Sequence, residues 1–205
     1  LWTLMRPGEK GPQERRKLLL DYLCQLPTIG PRTAERLMQR FGEDLWIDPG
    51  IPEARDYTVR VAEDLVRNYA VDGLHFDYVR YPDRGFIDGD TYNRHGGGKP
   101  LDDWRRDNIN ALVRVMYHRC TAVRPSLQVG SAPIGIYRNL PGAKGWEGRN
   151  AIFQDSRRWL REGYHDYVVP QIYWGLTRHG SRIDFEALVE EDRKSTRLNS
   201  SHRMP

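Results

Sequence analysis

Apolar residues in the middle of the chain follow two different spacings, which predict strands alternating with helices. In residues 51–69 and 101–123 they recur every three or four positions, the spacing of a helix with one buried face. Short apolar runs lie at residues 71–82, 127–137 and 166–174 and are typical of buried strands. Because strands that alternate with long helices form parallel sheets, the sequence predicts an α/β fold class.

The ends of these strands favour one α/β architecture over another. All three apolar runs end in polar or aromatic residues, whereas a doubly wound nucleotide-binding fold needs a glycine-rich turn after its first strand. We therefore expect a (β/α)8 TIM barrel, incomplete because only about four βα units are visible, preceded by a small helical hairpin. Residues 83–100 are expected to form a long loop, and loops of this length are usually functional or disordered.

The run from Val71 to Pro82 holds the strongest candidate site. Ligands of parallel α/β proteins bind at the C-terminal ends of strands, and glycoside hydrolysis needs carboxyl groups. We therefore predict that Asp77 is catalytic, as the nucleophile or base of a sugar-cleaving reaction. The alternative is a strand-end aspartate that only caps a loop or pairs with Arg80.

The residues around Asp77 suit a sugar-binding role. His75 lies two positions earlier, so its side chain shares one face of the strand with Asp77, although a satisfied interior histidine is an equal alternative. Arg80 carries a charge that favours the ionised form of a neighbouring carboxylate. The remaining predicted substrate contacts are rings that stack on sugars and one amide, namely Tyr78, Tyr81, Tyr173, Trp174 and Gln171.

A second carboxyl group, which glycoside hydrolysis generally requires, is not evident at the other strand ends. The candidates within this chain are three aspartates of the long loop, Asp83, Asp88 and Asp90. We therefore expect catalysis to belong to a longer parent protein and the 205-residue chain itself to be inactive. A carbohydrate-binding barrel without catalysis is the alternative.

The positive charge of the chain lies at its two ends. Of the net charge of +4, residues 1–44 contribute +2 and residues 192–205 contribute +3, so the middle has no excess charge to neutralise phosphates. No apolar run is long enough to cross a bilayer. Cys24 and Cys120 form no CxxC pair, and the sequence predicts neither a metal site nor a cofactor. Cys120 lies on the apolar face of a helix and is predicted to be a core residue.

The first segment follows a separate pattern. Helices are predicted at residues 13–26 and 32–41, and a tight Pro27-Thr28-Ile29-Gly30-Pro31 hairpin joins them. This segment resembles the helix-hairpin-helix motif of DNA repair and helicase proteins. The resemblance implies contacts with the DNA backbone through Ile29, Gly30 and Arg32, so DNA binding by residues 13–42 is an alternative function. A plain helical hairpin is the other interpretation.

Four motifs of the middle segment resemble, in the same order, the glycosyl-hydrolase-like GHL10 family, also called DUF187. They are Trp46–Pro49, Asp72–Pro82, Ser131–Tyr137 and Asp166–Trp174. The resemblance covers about residues 45–191. It implies a TIM barrel related to glycosidases, a carbohydrate substrate and an exported parent protein, whether extracellular, periplasmic or a surface lipoprotein.

The sequence predicts three segments of different origin. Residues 1–44 form the hairpin segment, which we expect to come from an unrelated protein because no linker precedes Trp46. Residues 45–191 form the partial glycosidase-like barrel. Residues 192–205 form an artefactual or disordered tail, since residues 192–202 resemble the translation of a sequencing-library adapter. The chain is therefore predicted to be a chimera.

Overall fold

The computed structural model describes residues 30–32, 46–140, 144–173 and 188–190. The chain divides into two units, residues 1–47 and residues 48–205. All the elements described below belong to the second unit. In chain order they are α1 Pro52–Asn68, β1 Gly73–Phe76, α2 Gly89–His95, α3 Leu101–Val123, β2 Gln128–Ser131, α4 Gly148–Ala151, α5 Ser156–Arg161 and β3 Tyr167–Val168.

Several predicted segments cannot be compared with this structure. The helix predicted at residues 13–26, nearly all of the helix at 32–41 and the tail at 192–205 lie outside the described residues. The separate origin of residues 1–44 and of the tail therefore stays a prediction.

The three strands form a parallel sheet in the order β1-β2-β3, which confirms the α/β class. Each strand is shorter than its apolar run. After β1 the backbone enters the left-handed region at Tyr78, with φ of 57°, which breaks the extended geometry. After β2 and β3 come Pro133 and Pro170, which have no backbone N–H to donate to a neighbouring strand. A bridge between Ile134 and Gln171 continues the pairing beyond them.

The two long helices begin where the sequence places helix-starting residues. Pro52 opens α1 with Glu53 in its first turn, and α3 begins directly after Pro100 with two aspartates in its first turn. Proline is tolerated at such a start and acidic side chains complement the positive end of the helix dipole. The bounds of α3, Leu101–Val123, are those predicted from the apolar spacing.

Both long helices pack on one face of the sheet. Side chains from the two helices and from alternate strand positions form one buried cluster, whose fully buried members are Val59, Ala62, Val66, Met116, Tyr117, Cys120, Leu127 and Val129. Leu74 and Phe76 of β1 pack against it. The core position predicted for Cys120 is confirmed, and burial raises the pKa of its thiol to about 11. The helices therefore cover the face of the sheet that carries Leu74 and Val129.

The sequence pattern predicts a buried side for α1, and only part of that side is buried. The predicted residues are Tyr57, Val61, Leu65, Ala62, Val66 and Tyr69. Ala62 and Val66 are buried, together with Val59. Tyr57, Val61 and Leu65 remain exposed, as does Tyr69 directly after the helix. The helix carries two apolar stripes, and in the described part of the chain only the one with Val59 faces the sheet.

The segment predicted as a loop at residues 83–100 contains helix α2 and is held against α3. The Trp104 indole donates to the carbonyl oxygen of His95, and its ring meets that of Tyr92 edge-on at 5.3 Å. The triglycine serves the chain reversal after α2, because Gly97 and Gly98 adopt φ of 57° and 78°. These contacts hold the segment between β1 and α3 in one position against α3.

Candidate functional site

The segments that follow the three strands converge at the carboxyl edge of the sheet. Asp77 comes directly after β1, and its Oδ1 accepts hydrogen bonds from the backbone N–H of Tyr78 at 2.8 Å and from Nε2 of Gln171 at 3.0 Å. The same amide nitrogen donates to the carbonyl oxygen of Ala132, just after β2, at 2.8 Å. The side chain of Gln171, which follows β3, therefore holds both the carboxylate after β1 and the backbone after β2.

The sheet face opposite the helices carries a second polar pair. His75, Gly130 and Tyr167 are neighbours in the register of the three strands. The Tyr167 hydroxyl lies 3.2 Å from Nδ1 of His75, and the two rings stack with centroids 5.7 Å apart. A Cβ at Gly130 would meet the Tyr167 ring at 2.4 Å, so the ring lies directly over this glycine. His75 is exposed on this face rather than satisfied in the interior, two positions before Asp77.

The side chain of Arg80 lies between two aromatic rings. Its guanidinium carbon is 4.4 Å from the centroid of the Tyr78 ring and 4.5 Å from that of Trp146. Burial lowers the pKa of Arg80, while Tyr78 and the charge of Asp77 act in the opposite direction. Both rings are partly exposed, Tyr78 by 36% and Trp146 by 47%. The pattern predicted Tyr78 and Arg80 beside Asp77 but gave no signal for Trp146, which comes from the segment between β2 and α4.

Tyr81 lies in the core and is removed from the predicted sugar-binding residues. Its side chain is 0% exposed, and its ring meets Phe86 and Phe153 edge-on at 5.4 Å. Its hydroxyl accepts a hydrogen bond from Asn108 of α3, and burial strongly raises its pKa. The ring therefore has no exposed surface to offer a ligand.

Of the three loop aspartates offered as a second carboxyl group, Asp88 is already engaged. Nε and a terminal nitrogen of Arg105 donate to its two oxygens at 2.8 and 2.6 Å, and both side chains are 3% exposed. Burial acts to lower the pKa of Arg105, but the hydrogen bonds and charge of Asp88 outweigh it and raise that pKa. Asp83 accepts from the N–H of Gly85, whereas Asp90 lies exposed on α2.

The buried side chain of Gln154 links two segments of the site, and the sequence interpretation did not identify it. Gln154 is 2% exposed, its Nε2 donates to the carbonyl oxygen of Val79, and its Oε1 accepts from the N–H of Ile134. It therefore links the segment after β1 to the segment after β2. A polar residue in a short connection looks like a surface residue in the sequence, so nothing in the pattern marks Gln154.

Two further polar pairs, one buried and one partly buried, lie near the strand ends. His165 donates from Nδ1 to the carbonyl oxygen of Tyr164, so its Nε2 accepts from the Ser131 hydroxyl at 2.8 Å. Burial lowers the pKa of His165. Tyr137 donates to Asp155, and burial together with this hydrogen bond raises the pKa of Tyr137 to about 12. Ser131 and His165 are both buried, so we interpret this hydrogen bond as one that stabilises the sheet.

The other predicted site residues have different positions. Tyr173 is 83% exposed two residues after Gln171, whereas Trp174 lies outside the described residues. In the first unit, Gly30 and Arg32 are exposed, and Ile29 lies outside the described residues. Nowhere in the described part of the chain do three or more His, Cys, Asp or Glu side chains gather as metal ligands. Among the described helices, none is both long and apolar enough to cross a membrane.

Fold and site together define an α/β protein with an oriented carboxylate at the carboxyl edge of a parallel sheet. A sequence model of the family described as Glycosyl hydrolase-like 10 matches residues 29–199. The chain belongs to this family, which confirms the predicted family membership. The match extends beyond residues 45–191 at both ends.

Curated relatives carry the same type of name. The chain is 34% identical over 157 residues to "Glycosyl hydrolase YngK" of Bacillus subtilis, which covers 70% of this chain and 31% of that protein. It is 33% identical over 153 residues to "Glycosyl hydrolase DigH" of Escherichia coli K12, covering 70% of this chain and 35% of the relative, and to DigH of Shigella flexneri to the same extent. The chain spans about a third of the length of these curated relatives.

The comparisons support a glycoside-hydrolase-like function and do not favour the DNA-binding alternative. The family description and the names of the relatives all refer to glycosyl hydrolases. None of them refers to DNA, and residues 29–42 of the predicted hairpin segment fall within the range of the family match.

Proposed function

We propose that this chain carries part of the active site of a glycoside hydrolase that acts on a poly- or oligosaccharide. The observation that carries the proposal is the carboxylate of Asp77, held at the carboxyl edge of the sheet by Gln171 from another strand end. Parallel α/β enzymes place their catalytic groups at this edge. The glycosyl hydrolase names of the relatives supply the reaction class.

Asp77 acts as the nucleophile or general base. Two N–H donors, from Tyr78 and Gln171, hold one of its oxygens in a fixed direction. A carboxylate held in this way needs little reorganisation when it approaches the anomeric carbon or a water molecule. Since Asp88 is bound to Arg105, Asp83 and Asp90 are the loop candidates for the second carboxyl group within this chain.

The proposed sugar contacts surround Asp77 on the exposed face of the sheet. They are His75, Tyr78, Arg80, Gln171 and Tyr173, and the sequence adds Trp174, which lies outside the described residues. His75 and Gln171 offer hydrogen-bonding groups to hydroxyls, and the rings offer apolar faces to the C–H groups of a sugar. Tyr81 is excluded by its burial.

The barrel and the export of the parent protein belong to the same proposal. Three parallel strands in sequential order, with helices on one face, support the interpretation of β1 to β3 as consecutive strands of a (β/α)8 barrel. The face with His75 and Tyr167 is then the barrel interior. Export follows from the family resemblance alone.

Hydrolysis of a glycan panel by the natural protein that contains residues 46–173 tests the proposed function. We expect new reducing ends from at least one glycan, measured against heat-inactivated protein. A folded protein that binds a glycan without releasing reducing ends would replace the enzyme with the carbohydrate-binding alternative. A folded protein that neither binds nor cleaves any glycan would contradict both.

A further inference from the structure

Trp146 belongs to the surface beside Asp77, although it follows that residue by about seventy positions. Its ring and the ring of Tyr78 enclose the guanidinium group of Arg80 at nearly equal distances, 4.5 and 4.4 Å. Cation–π contacts of this kind are attractive, and more so when they are partly buried. Three side chains from two separate segments therefore form one continuous layer, called here the Trp146 stack.

The backbone connects the Trp146 stack to the carboxylate of Asp77. Tyr78 follows Asp77 directly, and its N–H donates to the Asp77 carboxylate at 2.8 Å. The left-handed backbone at Tyr78, with φ of 57°, is costly for a bulky residue. This conformation directs the Tyr78 ring toward Arg80 while its N–H stays on Asp77. The stack therefore begins at the residue that directly follows the proposed catalytic carboxylate.

The segment that carries Trp146 is held by hydrogen bonds on both sides. The N–H of Gly145 donates to the side-chain oxygen of Asn139 at 2.8 Å, and the N–H of Asn139 donates to Glu147 at 2.7 Å. Glu147 also accepts from the amide of Asn150. These bonds fix the residues before and after Trp146, so its ring is presented in a defined position while 47% of the residue remains exposed.

We infer that Trp146 is a substrate-binding residue, which stacks on a sugar unit near the one attacked by Asp77 through the indole face that Arg80 does not cover. This inference rests on the proposed function. A sugar ring has an apolar face of C–H groups, and an indole ring offers a flat apolar face to match it. The guanidinium group of Arg80 covers the opposite indole face and holds the ring in position. The Trp146 stack is thus a subsite for a pyranose.

The test measures tetrasaccharide binding to the natural protein that contains residues 46–173, with Asp77→Asn added to prevent turnover. Calorimetry with cello-, chito-, xylo- and manno-tetraose selects the ligand that binds most tightly. We expect Trp146→Ala to weaken that binding about tenfold, and Trp146→Phe, which keeps an aromatic face, to weaken it less than about threefold. In protein with Asp77 intact, Trp146→Ala should raise KM and leave kcat nearly unchanged.

The matched control is Tyr57→Ala, which removes an exposed aromatic ring from helix α1. It should leave tetrasaccharide affinity unchanged. Equal affinity of the Trp146→Ala variant and the parent would overturn the inference while the proposed function stands. A loss of affinity in the Tyr57→Ala control as large as that in Trp146→Ala would also overturn the inference. If no tetrasaccharide binds and no glycan is cleaved, the inference and the proposed function fail together.

Discussion

Asp77→Asn is expected to lower the rate of glycan hydrolysis by at least about 1,000-fold, with little loss of stability. The amide removes the nucleophilic or basic oxygen, and a positioned acid or base contributes about 100- to 10,000-fold to a rate. The side-chain oxygen of asparagine still accepts from Tyr78 and Gln171, the two donors seen at Asp77. Reducing-end release by the natural protein that contains residues 46–173 measures the effect.

The control for this prediction is Asp72→Asn, the same substitution just before the opposite end of β1. Asp72 is exposed and lies at the amino edge of the sheet, where residues of parallel barrels serve stability. Its activity should stay within about twofold of the unsubstituted protein. Equal activities of the two variants would remove Asp77 from the mechanism.

Arg105→Met is expected to destabilise the protein by about 3–5 kcal/mol, because it leaves the buried Asp88 carboxylate without its partner. Both side chains of this pair are 3% exposed, and Arg105 also donates to the carbonyl oxygens of Arg84 and Phe86. The pair thereby fastens residues 84–88, which follow the Asp77 segment, to α3. Urea denaturation, followed by circular dichroism, gives the change in the free energy of unfolding.

An exposed ion pair provides the comparison for Arg105. Arg60 and Asp56 lie 3.1 Å apart on α1 with more than half of each side chain exposed, so Arg60→Met should cost less than about 1 kcal/mol. Replacing both buried partners, Arg105→Met with Asp88→Leu, should recover part of the lost stability. If Arg105→Met destabilises the protein no more than Arg60→Met does, the buried Arg105–Asp88 pair does not hold residues 84–88 against α3.

Several features of the fold and site followed from the sequence because they depend on short-range pattern. The bounds of α3 followed from its apolar spacing and its proline start. The parallel sheet followed from the alternation of elements. The meeting of Asp77 with Gln171, 94 positions apart, follows from the rule that parallel strands end at one edge.

The residues whose positions the sequence did not predict depend on backbone geometry and long-range contacts. The pattern of apolar residues contains neither. Tyr81 looked like a site residue because the extended strand was carried through residue 81, whereas the left-handed turn at Tyr78 redirects the chain into the core. Gln154 and Trp146 act through segments that meet only after folding. On α1 the sequence offers two apolar stripes, and packing against the sheet decides between them.

The account depends on the exposed sheet face beside Asp77 being the place where sugar binds. Nuclear magnetic resonance of the Asp77→Asn protein, titrated with the tightest-binding tetrasaccharide, tests this most directly. We predict shifts of the side-chain signals of His75, Tyr167 and Gln171, with the signals of Val59 and Cys120 on the helix-covered face unchanged. Shifts confined to the helix-covered face, or to residues 30–32, would contradict the account.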